Sequence, residues 1–249
     1  MDKITSFIRK LFCIRWYYLL FGSYVYAEKG SKIEIGQGCR IIRSKIHLRN
    51  NSIMIICNNV KIYDTCFALS NGRVEIGESS FLSKGIMPTK QQVIISSGIL
   101  SFGEFNRIRA QKFWIRFGGK VTFGNYINLN EFSEIRCDES ISIGDFVEIS
   151  YNVKLWDTNT HEIEGALNRR ERWKKQYLMR DVSRKPITKP VVIGNDVWIG
   201  DSVAILKGSK IGNNCICGYR TLISGKDIPN NTTVLNKTEI IILPQKSEI

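Results

Sequence analysis

Six side chains fall on an unbroken six-residue step near the C-terminus: Ile193, Ile199, Ile205, Ile211, Cys217 and Ile223. Two positions before each stands another small or β-branched residue, namely Val191, Val197, Val203, Ser209, Cys215 and Thr221. Glycine follows the aliphatic or thiol position at 194, 200, 212 and 218. A register held this long severely limits what the chain can fold into. Each hexad supplies one very short strand with two inward side chains and one turn, so successive hexads build the flat faces of a prism of parallel strands. The turns need residues that tolerate positive φ or close backbone approach, which Gly and Asn supply. Inside such a stack, Cys215 and Cys217 read as small buried hydrophobes.

Upstream the pattern loosens. Short alternating runs closed by glycine recur, as in Ile33-Glu34-Ile35-Gly36 and Val74-Glu75-Ile76-Gly77. Phe123, Leu129, Ile135 and Ile141 keep the step, and Ile143, Ile149 and Leu155 resume it two residues later. Residues 40–115 carry strands without a countable period. The register stops from Trp156 to Pro190, a stretch too long for a turn, which must leave the prism as a loop. The expected fold is therefore all-β: a hexapeptide-repeat parallel β-helix over 31–249 with a protruding loop at 156–190, preceded by a helical segment over 1–30.

That segment rests on Ile4, Phe7, Ile8 and Leu11, which share one face of an amphipathic helix over residues 2–20. The helix either packs on the body, the favoured reading, or lies on a membrane. Residues 11–27 are apolar after a basic start and end in Val25-Tyr26-Ala27, as a cleaved leader would. Arg15 interrupts the stretch, and Phe12, Trp16, Tyr17, Tyr18 and Phe21 suit an interface better than a bilayer centre. The expectation is a cytoplasmic protein, with peripheral contact at the inner membrane left as the alternative to packing of the helix on the body.

Lys and Arg number 36 against 23 Asp and Glu, a net charge of +13 that favours acidic partners. Nucleic acid is not expected, because no recognised motif appears and the basic residues are spread along the whole chain. Seven Cys without a paired CxxC, beside only two His, argue for reduced thiols and against structural zinc.

The stretch 191–205 followed by 207–212 contains Asp196-Val197-Trp198-Ile199-Gly200 downstream of a His-bearing loop. It resembles the hexapeptide-repeat acyltransferases, most closely the branch of galactoside, xenobiotic and surface-polysaccharide O-acetyltransferases. The resemblance implies a left-handed parallel β-helix, a homotrimer, and acetyl-CoA held between neighbouring prisms with no metal. It also implies acetyl transfer to a sugar hydroxyl of a capsule, a lipopolysaccharide or a precursor. N-acylation of an amino sugar nucleotide, xenobiotic acetylation and a catalytically silent assembly subunit are the alternatives.

Acetyl transfer from a thioester to a hydroxyl needs a base near neutrality, and a neutral imidazole serves. His47 lies in an alternating stretch where it should face outward. His161 sits where the loop departs, the position of the catalytic His in the resembled family. Asp157, Asn159 and Glu162 are candidates to hold its other ring nitrogen, with Asp157 preferred. Backbone N–H groups near 198–200 are candidate oxyanion donors. Trp198 either covers the loop or, as in the resembled family, lies beside the active site and cosubstrate. For coenzyme A the candidates are Trp198, Gly200, Ala204, Gly218, Tyr219, Arg220 and Lys226, with Lys237 a further cation. Where the family carries Gly-Asn-Pro-Ala, this chain reads Leu235-Asn236-Lys237-Thr238. Tyr219 replaces a small residue and either stacks on adenine or narrows the groove. Residues 157–190 hold nine basic and five acidic side chains, which points to an anionic or lipid-linked carbohydrate acceptor, a solvated loop or a trimer contact.

Overall fold

The computed structural model describes residues 21–179, 184–237 and 239. Among them are twenty-seven strands, β1 to β27 in chain order, and one helix, α1 (Ala166–Met179). Each strand from β1 to β24 pairs in parallel with the strand three places on, which yields three nine-stranded sheets. The first coil is β1 (Tyr24–Ala27), β2 (Lys32–Ile35) and β3 (Arg40–Ile42); the last is β25 (Leu222–Ser224), β26 (Asp227–Ile228) and β27 (Thr233–Val234). The chain is a left-handed parallel β-helix whose sheets form the first, second and third faces of a triangular prism.

The hexad residues behave as their spacing requires. Ile193, Ile199, Ile205, Ile211, Cys217 and Ile223 are all buried, as are Val191, Val197, Val203, Ser209, Cys215 and Thr221. Coil length explains why the period is sharp only at this end. Val192 pairs with Lys210, eighteen residues on, so three hexads close one coil. In the upstream coils Tyr24 pairs with Lys45 and Lys112 with Glu134, offsets of 21 and 22 that break a six-residue count. Arg73 pairs with Ile99, 26 residues on, because residues 84–90 bulge out between β9 (Phe81–Ser83) and β10 (Gln91–Ile95). Phe102, Phe113 and Phe123 fill the middle coils, with ring centroids 4.9 to 6.0 Å apart.

The corner between the second and third faces shows why Gly-Asn recurs. Asn195 Oδ1 accepts the N–H of Asp145 at 2.8 Å, Asn213 Oδ1 accepts that of Asn195, and Asn230 Oδ1 that of Asn213. Each side chain thus satisfies an otherwise orphaned donor in the coil above. A Cβ at Gly144 or Gly194 would collide with the same asparagine of the next coil, so these glycines are set by close approach.

The solenoid begins at Tyr24, seven residues before the expected boundary, and absorbs the end of the apolar stretch into β1. The helix expected over 2–20 lies outside the described residues. Among the described residues no helix is long and apolar enough to cross a membrane.

Candidate active site

The chain leaves the prism after β19 (Lys154–Trp156) on the first face and returns at β20 (Val191–Ile193) on the second. The excursion is more than a loop, since it contains α1. Its root is a short antiparallel clasp: Thr158 bridges Thr188, Asn159 N–H donates to Ile187 O at 3.1 Å, and Lys189 N–H donates to Asp157 O at 3.0 Å.

Asp157 is fully buried beneath this clasp. Its Oδ1 accepts the N–H of Asp138 at 2.8 Å, and its Oδ2 accepts those of Glu139 and Ser140 at 2.8 and 2.7 Å. Cys137 Sγ lies 3.2 Å from the same Oδ2. Burial pushes the carboxyl above the ordinary aspartate range, outweighing the hydrogen bonds that favour its charged form. Asp157, preferred from sequence as the partner of His161, instead caps the corner between β16 (Glu134–Cys137) and β17 (Ser140–Ile143). Local proximity suggested the pairing; three converging backbone donors decide against it. The imidazole of His161 makes no hydrogen bond among the described residues, to Asn159 and Glu162 included.

A second buried carboxylate holds the root from outside. Asp138 accepts Arg116 Nε at 2.9 Å and Nη2 at 2.7 Å, and Thr158 Oγ1 donates to Asp138 Oδ2 at 2.7 Å. Thr158 Oγ1 in turn accepts the N–H of Thr160 at 3.0 Å. Arg116 Nη2 lies 3.4 Å from Thr160 O, and Arg136 Nη1 lies 3.5 Å from Thr160 Oγ1. Thr160 has φ of 66°, a left-handed conformation unusual for a β-branched residue. His161 N–H donates to Asn159 O at 2.7 Å, closing a γ-turn centred on that strained threonine. Strain of this kind persists only where the surroundings over-determine the backbone, as these five side chains do.

His161 is exposed and lines a cavity of about 520 Å³ with Arg116, Thr160, Glu162 and residues of the excursion. His47 faces outward on β4 (Lys45–Arg49), half-buried, its ring 5.4 Å from that of Tyr24. Five strand-to-strand spacings separate it from β19 along the first face, roughly 24 Å.

Most of the residues singled out for coenzyme A, Lys226 excepted, cluster on a different edge. Trp198, half exposed, stands on the third face in β21 (Trp198–Ile199), between Glu148 and Ile216 of adjoining strands. Gly200, Gly218, Tyr219 and Arg220 follow at the corner between the third and first faces, and Ala204 begins β22 (Ala204–Leu206) just past it. Tyr219 is exposed, with the Arg220 guanidinium 5.0 Å from its ring. Gly218 has a structural reason of its own, because a Cβ there would strike the Leu235 side chain. Lys226 is exposed at the corner between the first and second faces, the edge from which the His161 excursion departs. Lys237 is exposed beyond β27. One chain therefore places His161 on one edge and the Trp198, Tyr219 and Arg220 group on another.

Cys215 and Cys217 lie in the core, and burial raises the Cys217 thiol to about 11. Among the described residues no group of His, Cys, Asp and Glu is arranged to hold a metal ion. Sequence reading missed Arg116, Arg136, Asp138, Thr158 and Thr160. One signal pointed there: the two-residue slip of the repeat between Ile135 and Ile143, which spans the corner that Asp157 caps.

Comparison with known proteins agrees with this architecture. The family described as bacterial transferase hexapeptide (six repeats) matches residues 190–225. A galactoside O-acetyltransferase of Lactococcus lactis is 33% identical over 145 residues, 58% of this chain and 62% of that protein. An inferred lipopolysaccharide-biosynthesis O-acetyltransferase of Escherichia coli, WbbJ, is 29% identical over 57% of this chain and 69% of its own length. An inferred acetyltransferase of Saccharomyces cerevisiae is 30% identical over 64% of this chain and 72% of its own. The crystal structure of the polySia specific acetyltransferase NeuO shares the fold with a TM-score of 0.53, at 18% identity, over 91% of this chain and 84% of that one. The chain belongs to the hexapeptide-repeat acyltransferase family. It spans less than two thirds of the length of the Lactococcus lactis protein.

Proposed function

We propose that the protein is an O-acetyltransferase that carries acetyl from acetyl-CoA to a sugar hydroxyl of a surface polysaccharide or its precursor, with His161 as general base. The observation that carries this reading is an exposed imidazole, fixed at its backbone by a strained and heavily tethered turn, lining a cavity in a chain of this family. The names of the Lactococcus lactis and Escherichia coli relatives favour a sugar acceptor.

In this reaction His161 takes the proton of the sugar hydroxyl as its oxygen attacks the thioester carbonyl carbon. Backbone N–H groups near 198–200 steady the oxyanion. The carbon–sulfur bond then breaks, and the imidazole returns its proton to the departing thiolate, so the products are the O-acetyl sugar and free coenzyme A. Tyr219 and Arg220 suit the cosubstrate's adenine and phosphates, as an exposed ring beside an exposed cation. Because these groups and His161 occupy different edges of one prism, the complete site joins two copies of the chain, as a homotrimer would. The assembly works in the cytoplasm, at or near the cytoplasmic membrane face.

Mass spectrometry of candidate glycans incubated with acetyl-CoA and the purified protein tests the reaction. The expected result is a gain of one acetyl group per modified hydroxyl, with His161→Ala slowing turnover roughly a hundredfold or more while the thermal transition is retained. Near-normal turnover in that variant overturns the assignment of the base.

A further inference from the structure

The cavity beside His161 has a size ordinary for a small-molecule site and an unusual lining, with four guanidinium groups, from Arg116, Arg169, Arg172 and Arg184. They are not equivalent. Arg116 is neutralised by Asp138 through two hydrogen bonds, and Arg172 Nε donates to Glu164 Oε1 at 2.8 Å. Arg169 and Arg184 have no ion pair or side-chain hydrogen bond among the described residues. Of the two carboxylates in the lining, Glu164 is already paired with Arg172, which leaves Glu162 alone against two uncompensated cations.

Helix geometry adds direction. Arg169, Arg172 and Trp173 stand at positions i, i+3 and i+4 of α1, and all three line the cavity. Trp173 is 63% exposed, an apolar ring beside cations. An aromatic face next to free guanidinium forks matches a sugar ring that bears an anionic group: the ring covers the sugar's C–H face, and the forks take the charged oxygens.

Resting on the acetyltransferase reading above, we infer that this cavity binds the acceptor through an acidic substituent, a sugar carboxylate or phosphate, held by Arg169 and Arg184 with Trp173 against the ring. The charge then selects the acceptor and sets which hydroxyl faces His161. Arg169 and Arg184 are both exposed, and a neutral sugar would displace their water without offering either guanidinium a charged partner.

Calorimetric titration of the full-length protein, without acetyl-CoA, tests this with three probes: a galacturonate trimer, the same trimer fully methyl-esterified, and galactose 6-phosphate. At least one acidic probe should bind tenfold or more tightly than the ester, weaken as salt rises, and lose that advantage in Arg169→Gln/Arg184→Gln. Binding of the trimer alone identifies a carboxylate, and binding of galactose 6-phosphate alone a phosphate. Equal affinity for trimer and ester, no binding of either acid, or an unchanged affinity in a double variant that melts normally overturns the proposal. If no sugar is ever acetylated yet acid binding depends on the two arginines, the transferase reading falls and the anion site stands.

Discussion

Arg116 grips Asp138 with two hydrogen bonds, of 2.9 and 2.7 Å, and the guanidinium also lies 3.4 Å from the carbonyl of Thr160. The next residue is His161. Asp138 is 1% exposed and sits on the prism, whereas His161 belongs to an excursion that leaves it. The pair therefore ties the proposed base to the rigid part of the fold, the arrangement a positioned imidazole needs.

Asp138→Asn is expected to loosen this tie. It leaves the cap of Asp157 in place, since that uses the Asp138 backbone N–H, but replaces a charged acceptor of Arg116 and Thr158. Steady-state kinetics should show kcat falling about tenfold with KM for acetyl-CoA nearly unchanged, because geometry at the base is what changes. A change confined to thermal stability would make Asp138 a structural residue only.

Asp157→Asn is expected to destabilise the protein by about 1–3 kcal/mol in a denaturant titration, since an amide NH₂ would face backbone N–H donors. Had Asp157 served His161, the same variant would slow turnover at unchanged stability.

Asp64 gives a pH signature of known sign. Hydrogen bonds from Arg43 hold its carboxyl below the ordinary aspartate range. Folding therefore favours the charged form, and the contribution is present above the unfolded value of about 3.9. It fades as pH falls through the lower folded value. Asp64→Asn should melt slightly below the parent protein at pH 7 and converge with it in strong acid, with a small gap because Arg43 is mostly exposed.

Thiol labelling of the native protein at pH 8 should modify the exposed Cys57 and spare Cys215 and Cys217 until denaturant is added. With Cys217 at about 11, its thiolate fraction there is on the order of one in a thousand. Peptide mass mapping after a short pulse of iodoacetamide reads the result, and early labelling of Cys217 would contradict the core position.

The repeat was legible wherever a coil held eighteen residues, because a hexad then maps onto one face without remainder, as from Val192 to Lys210. Upstream, two to eight extra residues per coil hid the same architecture, although Val74, Val121 and Ile141 still occupy inward positions. His161 could be found because the register stops before it and the chain offers only one other imidazole. Its supports could not be found, since Arg116, Asp138 and Thr160 are far apart in sequence and meet only through parallel stacking of β13 (Lys112–Ile115), β16 and β19.

Local periodicity alone determined the strands, their inward faces, the glycine and asparagine corners and the place where an excursion begins, because each follows from neighbours within one or two hexads. Tertiary structure decided what the polar side chains do. It turned Asp157 from the neighbour of a histidine into the cap of a corner, and among the described residues it left Arg169 and Arg184 without an ion pair while Arg116 and Arg172 found carboxylates. Hydrogen bonds are directional and short, so their partners depend on which coils are stacked, information that no six-residue window contains.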